Sequence, residues 1–329
     1  MKKIGLLFGG MSNEAEISVV SAKNVVENFN YKKYRLVLIY WDKNGNFYKL
    51  ENINQIKNIK NSQKININDF KKYFDIALLM THGKWGEDGC LQAILEMEKI
   101  KYCGCRVLSS AVCMDKGLFK NLIKGEKINQ VKFKEINYNT LTNNEINKII
   151  ISIKKEMKLP LFIKPANSGS SVGITKVDNY NKINFAIKEA LKHDGKIIIE
   201  EGLLNPREIE VAVMGNKNLN ISLPGELKPA KEFYDYEDKY KLNKTEFYIP
   251  AKLKKAELDT IKNLATKAYK ICNCSGFARV DFFISKGKIY LNEINTLPGF
   301  TKISMFPVLM MKQGMSYREL LNKIIELAY

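Results

Sequence analysis

The chain has 329 residues, 45% of them hydrophobic, and a net charge of +18. That length suits two or three domains of roughly 100–200 residues each, and no apolar run approaches the ~18–20 residues of a membrane span. The lysines are dispersed among Asn and Ile with no arginine-rich run, which argues against a nucleic-acid-binding module and is compatible with attraction of small anionic substrates such as nucleotides.

Residues 3–9 are expected as a buried strand, 14–28 as a helix and 34–40 as a second strand. Residues 50–70 are polar and expected at the periphery. A strand at 75–80 leads into the loop THGKWGEDG and a helix at 91–99. This alternation predicts a parallel sheet over residues 1–105. Next come a helix over 109–124 containing Asp115 and Lys116, and a helix over 145–158. LFIKP and VGITKV read as two strands around a tight Gly/Ser connection. A helix at 181–192, strands at 196–201 and 209–214, a polar aromatic segment at 232–240 and a helix at 256–271 follow. A hairpin over 278–295 and a helix at 317–327 complete the chain.

The hairpin carries the most chemistry. Strand side chains alternate in direction, so Arg279 and Asp281 share one face, as do Glu293 and Asn295. Carboxylate and amide oxygens suit a hard divalent cation, and hence a Mg²⁺-nucleotide site. Register tests this. A two-residue Lys286-Gly287 turn pairs Asp281 with Asn292 and turns Glu293 to the opposite face. A three-residue turn, Lys286 to Lys288, pairs Asp281 with Glu293. A shared metal therefore requires the longer turn or a bulge.

Four other segments stand out. The loop from Lys164 to Gly173, with Ser168, Ser170 and Ser171, can bring backbone N–H groups and hydroxyls to phosphates, or be a plain exposed turn. It is not a Walker loop, because no Gly-Lys-Ser/Thr follows. Gly9-Gly10 lacks the G-x-G-x-x-G of a dinucleotide site. Ser12 and Glu14 there suit a helix start, or Glu14 meets a substrate ammonium at the ligand edge of the sheet. His82 stands at a similar edge, while Glu87 or Asp88 suits capping of the next helix. The 232–240 segment reads as a surface loop or a lid that excludes water. Cys90, Cys103, Cys105, Cys113, Cys272 and Cys274 form no C-x-x-C, and His82 and His193 stand apart, so zinc-site spacing is absent. Free thiols, with an N-terminal apolar run too short for a signal peptide, predict a cytoplasmic protein.

Taken in order, GGMSNEAEIS, THGKWGEDG, MDK, FIKPANSGSSVGI, REIEVAV, FYDYEDKY, ARVDFF and NEINTLPGFT resemble the D-alanine–D-alanine ligase family of the ATP-grasp superfamily. The resemblance covers essentially the whole chain. It implies an α/β protein, α+β in its C-terminal part: an ATP-grasp fold with an N-terminal Rossmann-like parallel-sheet domain. The implied division is 1–105 for that substrate domain, 106–200 for a central subdomain with the glycine loop, and 201–329 for a subdomain with lid and Mg²⁺ site. The implied activity joins two D-alanines with ATP through a D-alanyl phosphate, giving ADP and phosphate, for peptidoglycan synthesis.

Residue roles follow from the same resemblance. Lys116, Lys164, Ser170, Ser171 and Lys239 would meet ATP phosphates. Glu200, Glu201 and Leu203 fall in the adenine segment, and Glu208 would hold the ribose. Asp281, Glu293 and Asn295 would ligate two Mg²⁺ or Mn²⁺ ions. Glu14 would hold the first D-alanine's ammonium, with His82 near its carboxylate, and Ser304 with the Met305 backbone would hold the second carboxylate. Ser170, Tyr240 and Glu14 would form a hydrogen-bonded set, and Arg279 with the Gly299 N–H would stabilise the tetrahedral oxyanion. Tyr240 stands where ligases making D-alanyl-D-lactate carry Phe or His, which favours an amine as second substrate. Ala15 departs from the family's usual His or Arg. A homodimer is also implied.

Overall fold

In the computed structural model, which describes residues 1–137, 142–169, 172–228 and 246–328, the first sheet grows from β1 (Lys3–Gly9). β1 is buried almost throughout, which is why its sequence is a continuous apolar run rather than an alternation. β2 (Arg35–Trp41) lies parallel to it. β3 (Phe47–Leu50) and β4 (Gln63–Ile65) then extend the sheet antiparallel beyond β2. β5 (Ile76–Leu79) and β6 (Lys101–Cys103) continue it in parallel on the other side of β1. The order is β4-β3-β2-β1-β5-β6, a Rossmann-like parallel core with an antiparallel edge. The peripheral expectation for 50–70 holds for the 3-10 helix over Ile53–Asn61, which buries no side chain, but not for Leu50, Ile65 and Phe70, which enter the core.

The 109–124 helix is broken. Helices span Val107–Met114 and Lys116–Gly125, with Asp115 extended between them at φ −79° and ψ 98°. The Asp115 carboxylate accepts the Leu118 N–H at 3.0 Å and the Lys196 ammonium at 2.9 Å. Acting as an N-cap, it restarts the helix where the apolar pattern suggested continuity.

The second sheet holds β7 (Phe133–Asn137), β8 (Leu161–Pro165), β9 (Thr175–Val177) and β10 (Lys196–Glu201), antiparallel in the order β7-β10-β8-β9. β8 and β9 are the two strands expected around the glycine loop. The third holds β11 (Arg207–Met214), β12 (Asn220–Ile221), β13 (Gly225–Lys228), β14 (Glu246–Tyr248), β15 (Phe277–Ser285) and β16 (Lys288–Asn295). Its main order is β14-β13-β11-β15-β16, with β12 on β11. Helix Lys255–Ile271 packs on this sheet through Ile261, Ala265 and Ala268.

Of the last two helices, Met305–Met311 packs on β11 and Tyr317–Glu326 returns to β6 of the first sheet. Phe306, Leu320 and Leu321 share one apolar core with Leu6, Leu78 and Phe300. The two ends of the chain thus build a common interior. Among the described residues no helix is long and apolar enough to cross a membrane.

Candidate active site

The β15–β16 hairpin meets the register condition by the second of its two routes. Its turn is the two-residue one: Ser285 pairs with Lys288, and Lys286 and Gly287 have φ of +48° and +72°. A bulge then shifts the pairing between Phe282 and Asp281. Phe282 opposes Leu291 and Asp281 opposes Glu293, so Asn292 is the extra residue. The bulge restores Glu293 to the face of Asp281, as an inserted residue must.

β11 lies on the other side of β15, with Glu208 opposite Phe283, Glu210 opposite Asp281 and Ala212 opposite Arg279. Glu210, Asp281 and Glu293 therefore gather around Arg279, with Glu208 further along β11 on the Glu210 face. Arg279 donates to Asp281 through Nε at 2.8 Å and Nη2 at 2.7 Å, and its Nε stands 3.0 Å from Glu210 Oε2. Burial disfavours the guanidinium charge, but Asp281 and Glu210 outweigh it and hold the Arg279 pKa well above its usual value. Asn295 Nδ2 donates to Asp281 Oδ2 at 2.9 Å. No group of three or more His, Cys, Asp or Glu among the described residues forms a ready metal cage. The donor set here is two cross-strand carboxylates and an amide, hard oxygens that fit Mg²⁺ or Mn²⁺ in kind.

Lys164 on β8 projects from the glycine-loop strand and pairs with Glu200 on β10, which also takes the Lys120 ammonium at 2.9 Å. Burial pushes the Glu200 pKa up, but the two ammonium groups overcome it and bring it down to about 2. Lys116 opens the Lys116–Gly125 helix and donates to the Ser168 carbonyl at 2.7 Å. Asn167 is anchored through its N–H and side chain to Asp194 at 2.8 and 2.9 Å. These bonds fix the near end of the glycine loop.

At the carboxyl edge of the first sheet, Glu14 lies against two glycines. A Cβ on Gly83 would stand 2.4 Å from Glu14 Oε2, and one on Gly169 2.5 Å from the same atom. A side chain at either position would displace this carboxylate, and at Gly83 the left-handed φ of +71° also favours glycine. The helix begins at Ala15; Ser12 accepts the Glu14 N–H at 3.1 Å and donates to the His82 carbonyl at 2.6 Å.

His82 is buried and has both ring nitrogens engaged. Nδ1 faces the Leu297 carbonyl at 3.1 Å, so it is the protonated nitrogen; Nε2 takes the Ser21 hydroxyl at 3.2 Å. Burial lowers the His82 pKa against the pull of the Glu14 charge, so the ring is neutral at pH 7. Ser21 also accepts the Phe300 N–H at 3.2 Å. His82 therefore ties the sheet edge to the 297–300 loop. In that loop Ser304 Oγ accepts the Thr301 N–H at 3.0 Å, and a Cβ on Gly299 would lie 2.7 Å from it.

One pocket of about 250 Å³ joins these elements. It is lined by Glu14, His82, Lys116, Lys164, Glu208, Arg279, Asp281, Glu293, Asn295, Gly299, Ser304 and Met305. Glu200, Glu201 and Leu203 are not part of that lining; Glu201 Oε1 accepts the Lys158 N–H at 3.0 Å. Ser170, Ser171, Lys239 and Tyr240, with the whole 232–240 segment, lie outside the described residues.

Of the two capping candidates, Asp88 is the one at the helix start: it accepts the Trp85 and Cys90 N–H groups at 2.8 and 3.1 Å, one residue before the N-cap Gly89. Glu87 lines the pocket and accepts the Gly83 N–H at 2.9 Å. Enclosure by protein and the Glu14 charge push its pKa up to about 8. Glu210 and Lys120 were missed. The period of two from Glu208, and the one-turn spacing from Lys116, were the signals that could have found them.

Two family models match: the D-ala D-ala ligase N-terminus over residues 3–105 and the D-ala D-ala ligase C-terminus over residues 122–326. The D-alanine–D-alanine ligase of Caldicellulosiruptor bescii is 43% identical, with 99% of this chain and 94% of that protein covered. That of Halothermothrix orenii is also 43% identical, at 99% and 98% coverage. Among solved structures, the VanG D-Ala:D-Ser ligase of Enterococcus faecalis is similar at a TM-score of 0.88 and 35% identity, with 99% of each chain covered. The D-alanine–D-alanine ligase of Coxiella burnetii is similar at 0.86 and 32%, covering 99% of this chain and 93% of that one.

Proposed function

The chain belongs to the D-alanine–D-alanine ligase family of the ATP-grasp superfamily, and on that premise we propose how its residues divide the reaction. Its activity is the ATP-dependent joining of two D-alanines for peptidoglycan synthesis. The observation that carries the assignment of roles is the shared pocket, where Glu14, the two phosphate-directed lysines and the acidic hairpin face meet.

A carboxylate is a poor electrophile, so the first D-alanine is phosphorylated on its carboxylate. Glu14 holds its ammonium, and His82 fixes the loop that faces its carboxylate. Lys116 and Lys164 draw the nucleotide phosphates, with Ser170, Ser171 and Lys239. Residues 199–203, with Glu201 and Leu203, are assigned to the adenine, while the Glu200 carboxylate serves Lys164. Glu208 takes the ribose hydroxyls. Asp281, Glu293 and Asn295 would hold two Mg²⁺ or Mn²⁺ ions, which when bound neutralise phosphate charge.

Ser304 and the Met305 backbone hold the second D-alanine by its carboxylate. Its neutral amine attacks the acyl phosphate carbonyl carbon. Arg279 and the Gly299 N–H stabilise the oxyanion; collapse breaks the bond from the carbonyl carbon to the phosphate oxygen, the leaving phosphate takes the proton that the attacking nitrogen gives up, and D-alanyl-D-alanine remains beside the ADP formed in the first step. Tyr240, with Ser170 and Glu14, closes the lid over an intermediate that water would destroy. The division at 105 and 200 and a homodimeric assembly belong to the same proposal, readable by limited proteolysis and sedimentation.

The decisive experiment is phosphate release from ATP with D-alanine, D-serine or D-lactate as second substrate, with the product identified. Release with D-alanine yielding the D,D-dipeptide is expected. Release with D-lactate and not D-alanine would sink the assignment of Tyr240.

A further inference from the structure

Glu210 has no task in the reaction as drawn above. It lies two positions after Glu208 on β11, opposite Asp281 on β15, and is 7% exposed. Its Oε2 stands 3.0 Å from Arg279 Nε, which also donates to Asp281 Oδ1 at 2.8 Å. One guanidinium is shared between carboxylates on neighbouring strands, and Asp281 alone of the two belongs to the donor set assigned to the metals.

The two carboxylates are not equivalent when a divalent cation is taken up. A cation bound at Asp281 competes with Arg279 for the same oxygen lone pairs. With those lone pairs taken, Asp281 would hold Arg279 less firmly at the stage when its direction matters. Glu210 is placed to keep it: it comes from the adjacent strand and its carboxylate already meets Nε. A guanidinium fixed at Nε still has both terminal nitrogens to present to a developing oxyanion. Donors fixed before the charge develops give more stabilisation than donors that must reorient.

We propose that Glu210 is a positioning residue that holds Arg279 toward the reacting carbonyl once Asp281 is committed to the metal. This rests on the oxyanion-stabilising role given to Arg279 above. Glu210→Gln keeps the size and removes the charge. Losing one buried ion-pair contact on the guanidinium predicts a fall in kcat of roughly 10–100-fold. KM for ATP and the affinity for Mn²⁺, titrated by electron paramagnetic resonance with ADP present, should stay as in the wild type. Glu210→Asp should recover part of kcat, and Glu210→Gln should add little in an Arg279→Ala background. Weakened Mn²⁺ binding would make Glu210 a metal ligand and overturn the proposal. A full additional loss in the Arg279→Ala background, or an undiminished kcat, would also overturn it. An Arg279→Ala enzyme with undiminished kcat would remove the role of Arg279 itself, so the two failures are distinguishable.

Discussion

Glu87 and Glu200 are carboxylates enclosed by protein whose neighbours drive them in opposite directions. Glu87 faces Glu14, and enclosure plus that charge raise its pKa from 4.5 to about 8. The folded protein therefore keeps a proton there that the unfolded chain releases. The linked stability is full below pH 4.5 and drains away as pH rises toward 8. Glu87→Gln should flatten the fall in Tm across that window; a variant whose Tm tracks the wild type at every pH would show that Glu87 is ionised throughout. Glu200 is held by two lysines, one of them, Lys120, only 2% exposed. Glu200→Gln strands that ammonium and should cost about 3–5 kcal/mol in urea denaturation. Adding Lys120→Met should recover much of it, because a matched apolar residue replaces a stranded charge. Glu14 and His82 were legible in the sequence because each follows an apolar strand at its ligand edge. Lys120 was not, since a lysine on a helix normally reads as a solvated side chain and only the fold sets it against Glu200.

At the scale of the element, the hairpin shows what pattern alone leaves open. Its strands, its turn residues and the sharing of a face by Arg279 and Asp281 follow from alternation. That shared face leaves the choice between a longer turn and a bulge open; the signal that separates them is Leu291 and Ile294, three apart yet in one core, which only an inserted residue between them permits. Other misses have equally local causes. Asp115 stops one helix and caps the next. Pro307, tolerated in a first turn, hid the helix Met305–Met311. The short strands β12 to β14 span too few residues to show a period. The turn yields a test of its own. Both Lys286 and Gly287 are left-handed, the geometry that favours Asn-Gly, and nothing lies within 4 Å of a Cβ on Gly287. Lys286→Asn should raise stability by a few tenths to about 1 kcal/mol through backbone preference. Turnover should be unaffected, since the turn lies at the end of the hairpin away from Asp281. A stability change with altered KM for ATP would mean that the turn reports on the site.

The whole molecule joins what the sequence order separates. The 297–300 loop is held from the N-terminal side by His82, by Ser21 and by Asn24, which donates to the Phe300 carbonyl at 2.8 Å. Tyr317 donates to that same carbonyl at 2.8 Å, so the last helix and the first helix grip one loop. Beneath it, Leu320 and Leu321 belong to the same core as the apolar residues of β1 and β5, and their helix packs on β6. Alternating elements along residues 1–105 suggest a self-contained unit, and nothing local announces that its interior is completed from residues 300–325. That completion makes stability non-local. Leu321→Ala removes a side chain 1% exposed and should cost about 2–5 kcal/mol. If the core is one cooperative unit, the loss appears as faster hydrogen exchange at Leu78 and Leu79 on β5, far away in sequence. Exchange confined to the Tyr317–Glu326 helix would mean that this helix docks on an N-terminal unit that is already stable alone. The first outcome also links folding to function: the loop carrying Gly299 and Ser304 keeps its place only while both ends of the chain are packed.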